Sequence, residues 1–221
     1  MTADRLAIRT KTSAAVVDYV LEELFSGGLS SGDRVDQDQL GEALGISRLP
    51  VREALVMLER DGIVSMQYHR GVFVEPFDAE SIFDDFEIMG LLSGVAVRRL
   101  ASSPDAETVA VLQGLLNELR ETKAADKGRI FELVSQMMII EHRAGGSRRL
   151  RAQLRGHSGF LPHAFHLIDR SHAATVMAHT KVLDAVIAGD GELAAQHRLE
   201  DFRDAGRSVV RELRRRGVIG K

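Results

Sequence analysis

Gly45-Ile46-Ser47-Arg48-Leu49-Pro50-Val51-Arg52-Glu53-Ala54-Leu55 is the stretch from which the rest of the chain is read. Val51, Ala54, Leu55 and Leu58 recur at i, i+3, i+4 and i+7, one apolar face of a helix. Ser47 is a good N-cap, and Pro50 falls in the first turn, where a missing amide costs little. Arg48 and Arg52, four residues apart, project together away from the apolar face. Each can meet a guanine edge bidentately or grip a phosphate. Ser47 and the N-terminal amides of the helix also suit a phosphate. The same spacing serves an ordinary capped helix whose arginines pair with Glu53 or Glu59 in solvent, so neighbouring segments must decide.

Upstream, Val17, Val20, Leu21 and Leu24 mark a helix that Gly27-Gly28 ends, preceded by a loose polar arm over residues 1–12. A short helix follows Asp36, whose spacing to Gln39 is that of a capping box; Leu40, Ala43 and Leu44 form its buried face. Downstream of Gly62, residues 63–66 and 72–74 flank Gln67-Tyr68-His69-Arg70-Gly71 as a hairpin with a five-residue turn. Helix, helix, tight turn, helix and hairpin is the order of a winged helix-turn-helix, and the hairpin tips the arginine pair towards DNA.

The chain has 221 residues, no cysteine and a net charge of −3. Disulfides, thiolate metal sites and cysteine nucleophiles are excluded. The longest apolar runs, such as residues 14–17 and 137–140, are far short of the ~20 residues a membrane helix needs, so a soluble, cytoplasmic protein is expected. Residues 1–77 carry −4 and the remainder +1, which is contrary to a simple expectation of a basic DNA-binding half. The acids sit on the first two helices, whereas four arginines lie between residues 44 and 74. A narrow contact surface and a shallow salt dependence follow.

After residue 78 the pattern is helix upon helix. Asp78 caps a helix over 79–101, and Ser103-Pro104 starts the next, with Leu112, Leu115, Leu116 and Leu119 on its apolar face. Further helices are expected over 127–143, 147–156, 160–188 (as one helix or broken into two) and 191–216, separated by Gly145-Gly146, Gly159 and Gly189. The fold class is therefore mainly α. A winged helix-turn-helix over 13–77, three helices with a β-hairpin wing, is followed over 78–221 by an all-α bundle.

Residues 12–77 resemble the DNA-binding domain of the GntR family of bacterial transcription regulators. The match runs through Gly32-Asp33-Arg34, Leu40, Gly45, Ser47-Arg48, Pro50-Val51-Arg52-Glu53-Ala54-Leu55, Leu58, Asp61-Gly62 and Gly71-Val72-Phe73-Val74. The resemblance implies that Ser47, Arg48, Leu49 and Arg52 face operator DNA and that the wing tip His69-Arg70-Gly71 approaches the minor groove. One position departs: Asp38 stands where many relatives carry a DNA-contacting arginine. An acid there repels phosphate, though it could accept from cytosine N4.

The helical remainder looks like the FCD effector domain of the FadR-like branch, anchored on Gly146-Ser147, Leu150 and His179 to Asp190. The resemblance implies a homodimer with a pocket for small carboxylic acids, often holding a metal on one Asp and three His. Counted by that pattern, the four positions fall on Val134, Met138, His179 and Asp201. One imidazole and one carboxylate are too few for a tight site. The reading is that no cofactor is required, the metal site is degraded, and these four residues line a carboxylic-acid or more apolar effector pocket. His179 and Asp201 are left as a residual metal alternative, and Glu141-His142, His163 and His166 as a shifted register. Gly90 and Gly94 replace the family's arginine and glutamate, suggesting close helix approach or room for ligand.

The function expected is a metabolite-responsive repressor that binds a near-palindromic operator as a homodimer and needs no membrane. An alternative keeps the DNA binding but reduces the second domain to dimerisation. A metal-dependent enzyme is a further alternative, although no nucleophile elbow, phosphate loop or His-Glu-x-x-His motif is present.

Overall fold

Asp36 shows how closely local chemistry shapes the first unit. Its carboxylate accepts the amides of Asp38 (2.9 Å) and Gln39 (3.1 Å) and so opens a helix. Those two bonds hold the carboxyl below its ordinary range. A computed structural model describes residues 2–220, with side chains for 12–220. Helix α1 spans Thr2–Ser26, so residues 2–12 are helical where a loose arm was expected; Met1 lies outside the described residues. Strand β1 is Arg34–Val35, α2 is Gln37–Leu44, α3 is Arg48–Arg60, and β2 (Val64–Gln67) and β3 (Gly71–Val74) form the wing.

Gly45 leaves α2 at φ 64, the left-handed conformation that turns the chain tightly into α3. The buried faces meet as the spacing predicts: Val16, Val20 and Leu24 of α1 pack with Leu40 and with Val51, Ala54, Leu55 and Leu58 of α3. Ala43, expected inside, is exposed. The wing is one strand richer than its sequence suggested. β3 lies between β1 and β2, antiparallel to both, with Arg34 opposite Phe73 and Gln67 opposite Gly71. The turn therefore shrinks to Tyr68, His69 and Arg70, with His69 at φ 57.

Asp78 caps α4 (Ala79–Ser102) through the amides of Glu80 and Ser81. The second unit, Ile82–Glu212, continues with α5 (Ala106–Glu121), α6 (Lys127–Gly145), α7 (Arg148–His157), α8 (Leu161–Phe165), α9 (His172–Ile187) and α10 (Gly191–Arg216). The α5 cap is Asp105, which accepts the Thr108 amide at 2.8 Å, rather than Ser103. Of the two forms open for residues 160–188, the chain takes the broken one, α8 and α9. Leu112, Leu116 and Leu119 of α5, Leu133 and Met137 of α6, and Val182 and Val186 of α9 form its core with Val97 and Leu100.

Gly90 and Gly94 serve close approach. A Cβ on Gly90 would sit 3.0 Å from Leu199 and Phe202 of α10, and one on Gly94 would sit 3.3 Å from the Ala195 carbonyl oxygen. From Leu213 on, the described residues cluster with the first unit. There Val218 rests against Gly27, whose φ of 86 closes α1.

Candidate nucleic-acid interface and cavity

The turn between α2 and α3 presents Ser47, Arg48 and Leu49 to solvent, and Arg52 follows one helical turn later, also exposed. Ser47 occupies the N-cap position but its hydroxyl makes no cap bond, unlike the cap expected, so the first amides of α3 stay open to an anion. Arg48 is paired with the residue marked as a departure. Its Nε donates to Asp38 Oδ1 at 2.9 Å and its Nη2 to Oδ2 at 3.3 Å. The two acids offered as partners for these arginines bond elsewhere. Glu53 accepts the Ser13 hydroxyl, and Glu59 accepts the amide of Met66, which ties α3 to the wing.

At the wing tip, His69 stacks edge-on against Tyr68 (centroids 3.9 Å apart), and the Arg70 guanidinium lies 5.8 Å from the Phe73 ring centroid. Gly71 has φ 112 and lies under Arg34, whose Nε would be 3.0 Å from an added Cβ. Tyr68 is 89% exposed at this tip and was missed by the sequence reading. Its flanking turn residues were the only signal that could have drawn attention to it.

In the second unit, Val134, Met138, His179 and Asp201 all line one cavity of about 850 Å³. Helix α6 contributes Val134, Met138 and His142 at successive turns, α9 contributes Thr175 and His179, and α10 contributes Asp201 and Phe202. Phe86, Met89, Phe131 and Phe165 make much of the remaining wall apolar. Neither His163 nor His166 lines it.

His179 is 1% exposed, and neither of its ring nitrogens has a hydrogen-bond partner. Burial, with the Arg198 charge second, pulls it down to about 3, so the ring is neutral. Burial likewise pulls His142 down to about 4; its Nε2 lies 3.0 Å from Ser93 Oγ.

Beside them lies an ion network that sequence reasoning did not find. Arg198, fully buried, donates through Nη2 to both oxygens of Glu141 (2.7 and 2.6 Å) and through Nη1 to Asp201 Oδ2 (3.1 Å). Arg170 Nη1 donates to the other Asp201 oxygen at 2.6 Å. Burial opposes ionisation of Asp201, but its cationic neighbours outweigh burial and hold it at about 2. Burial pushes the Glu141 carboxyl up, and the Arg198 guanidinium that donates to both of its oxygens opposes this and holds the pair as carboxylate and cation. Among the described residues, no group of three or more His, Asp or Glu side chains is arranged to hold a metal. Among the same residues, no helix is long and apolar enough to cross a membrane.

Residues 12–74 match the bacterial regulatory proteins of the gntR family, and residues 84–203 match the FCD domain. An HTH-type transcriptional regulator of Mycobacterium tuberculosis is 34% identical over 205 residues, covering 87% of this chain and 83% of that protein. A probable D-xylose utilization operon transcriptional repressor of Paenarthrobacter nicotinovorans is 27% identical over 196 residues, 87% of this chain and 86% of its own. The solved structure of E. coli McbR/YncC shares the fold, with a TM-score of 0.63 at 21% identity over 92% of this chain and 98% of that one. A winged reading head joined to an FCD domain, with relatives of the same span, means that the chain belongs to the GntR family and is a DNA-binding transcriptional regulator.

Proposed function

We propose that the protein is a homodimeric, metabolite-responsive repressor that grips a near-palindromic operator through Ser47, Arg48, Leu49 and Arg52, with His69, Arg70 and Gly71 at the minor groove. The single observation that carries the reading is α3. Its apolar face is buried, while Arg48 and Arg52 stand exposed on the other side, behind an N-terminus whose amides are uncapped. Two-fold symmetry of the protein implies two half-sites. The relative from Paenarthrobacter nicotinovorans, a probable transcriptional repressor, supports the sign of the regulation.

An effector is supported by the cavity in the second unit, a volume within the range of small-molecule pockets. A domain kept for dimerisation alone would have no use for it. An effector that prefers one arrangement of the dimer would change DNA affinity by that preference.

The test is to select operator fragments from random DNA with the purified protein and measure binding by fluorescence anisotropy. Arg48→Ala is expected to weaken operator binding by about 1–3 kcal/mol, and light scattering to give the mass of two chains. Wild-type affinity in Arg48→Ala would overturn the assignment of α3.

A further inference from the structure

The cavity has a feature that neither DNA binding nor dimerisation uses. His179 offers a neutral imidazole with one N–H donor and one nitrogen acceptor, both unpaired and both buried. A buried polar group left unpartnered is costly, so a site that keeps one is prepared for a partner. Around it the wall is mostly aromatic and aliphatic.

The charges nearby are already spent. Arg170 and Arg198 are matched by Asp201 and Glu141, two cations against two carboxylates. Both oxygens of Asp201 receive guanidinium hydrogen bonds, so this carboxylate has no free oxygen aimed at a cation. Val134 and Met138 offer no hard-metal ligand. The residues therefore do not fit the metal expected for the family. An anion seated beside His179 would likewise find no uncommitted cation, since Arg170 and Arg198 are both matched there; the remaining lining arginines, Arg143, Arg151 and Arg155, belong to the end of α6 and to α7, and Arg143 and Arg155 are solvent-exposed.

We propose that the cavity is a metal-free site for a largely apolar, uncharged molecule bearing one group that both donates and accepts a hydrogen bond, a hydroxyl or primary amide, which His179 receives. The four-charge network of Arg170, Asp201, Arg198 and Glu141 stands where the family would hold a metal. Arg170 and Asp201 line the cavity, Arg198 and Glu141 stand behind them, and the four charges cancel, so the network itself leaves no net charge for a ligand to answer. This rests on the reading of the second domain as an effector domain.

The test uses matched ten-carbon probes on the full chain, followed by calorimetry: decan-1-ol, decanoate and decylammonium, with zinc and nickel chloride tested alone. Decan-1-ol is expected to bind one per chain, about ten-fold tighter than either charged probe, with the two metals substoichiometric. His179→Phe keeps the ring volume and removes both hydrogen-bonding atoms; it should cost decan-1-ol about ten-fold and leave decanoate unchanged. Val134→Phe narrows the same cavity from α6 and should weaken all three probes alike, keeping their ratio.

Decanoate binding as tightly as decan-1-ol, one bound metal per chain, or no binding of any probe would each overturn the proposal. The DNA-binding assignment is decided separately by Arg48→Ala. If decan-1-ol binds but operator affinity does not move, the ligand class stands and the effector role falls.

Discussion

Asp38 and Arg48 hold each other across the α2–α3 turn, and the pair is exposed, with side-chain accessibilities of 63% and 85%. Such a pair adds little to stability. Its consequence lies in direction and charge. Gripped through Nε and Nη2, the guanidinium turns its Nη1 edge outward, which is the edge a base can use. The acid also subtracts from attraction to any phosphate. Asp38→Asn should raise affinity for random duplex DNA several-fold, steepen its salt dependence and lower the ratio of operator to random binding. Titrations of both duplexes at two salt concentrations read all three, and an unchanged ratio would mean that Asp38 has no part in aiming Arg48. The departure at Asp38 is visible in the sequence, but its partner is not, because the pairing depends on how a turn folds two helices together. The same holds for Glu141 and Arg198, 57 residues apart, whose meeting no local spacing announces.

At the scale of elements, capping and periodicity carried most of the reading. The apolar spacing of α3, the carboxylate at Asp36 and the glycine at Gly45 are local signals, and they place α2 and α3 correctly. Strand β1 escaped because two residues have no periodicity of their own; pairing with β3 is what makes Arg34–Val35 a strand. Asp105 displaced Ser103 as the α5 cap because two candidate caps flank one proline. Glycines are the harder case, since their meaning depends on neighbours. On Gly145 an added Cβ would collide with the Ala96 carbonyl oxygen of α4, whereas on Gly114 of α5 it would meet nothing. Gly145→Ala should therefore destabilise by about 1–3 kcal/mol, and Gly114→Ala should stabilise by up to about 1 kcal/mol through helix propensity alone. Chemical denaturation of both variants checks the pair; equal effects would mean that the α4–α6 approach is looser than the backbone indicates.

For the whole molecule, the charge of −3 conceals opposed local arrangements: acids on α1 and α2, arginines on α3 and the wing, and a neutral network inside the bundle. The buried histidines add a pH dependence. Folded His179 and His142 stay neutral down to about 3 and 4, while in the unfolded chain both take up protons near 6.5. The unfolded state then binds more protons in acid. Stability is therefore complete above pH 6.5 and falls as pH drops towards 4, by up to about 1.4 kcal/mol per pH unit for each histidine. Melting temperatures from pH 8 to 5 should show this slope, and His179→Phe should reduce it by about half, leaving the share of His142; a flat wild-type profile would place both rings in contact with water. The four-charge network has a consequence for descent. Losing any one of its members leaves a buried charge without its counterpart, at a cost of about 3–5 kcal/mol. Arg170, Asp201, Arg198 and Glu141 should thus be inherited as a block, kept or discarded together, and lineages that hold only part of the set should be rare.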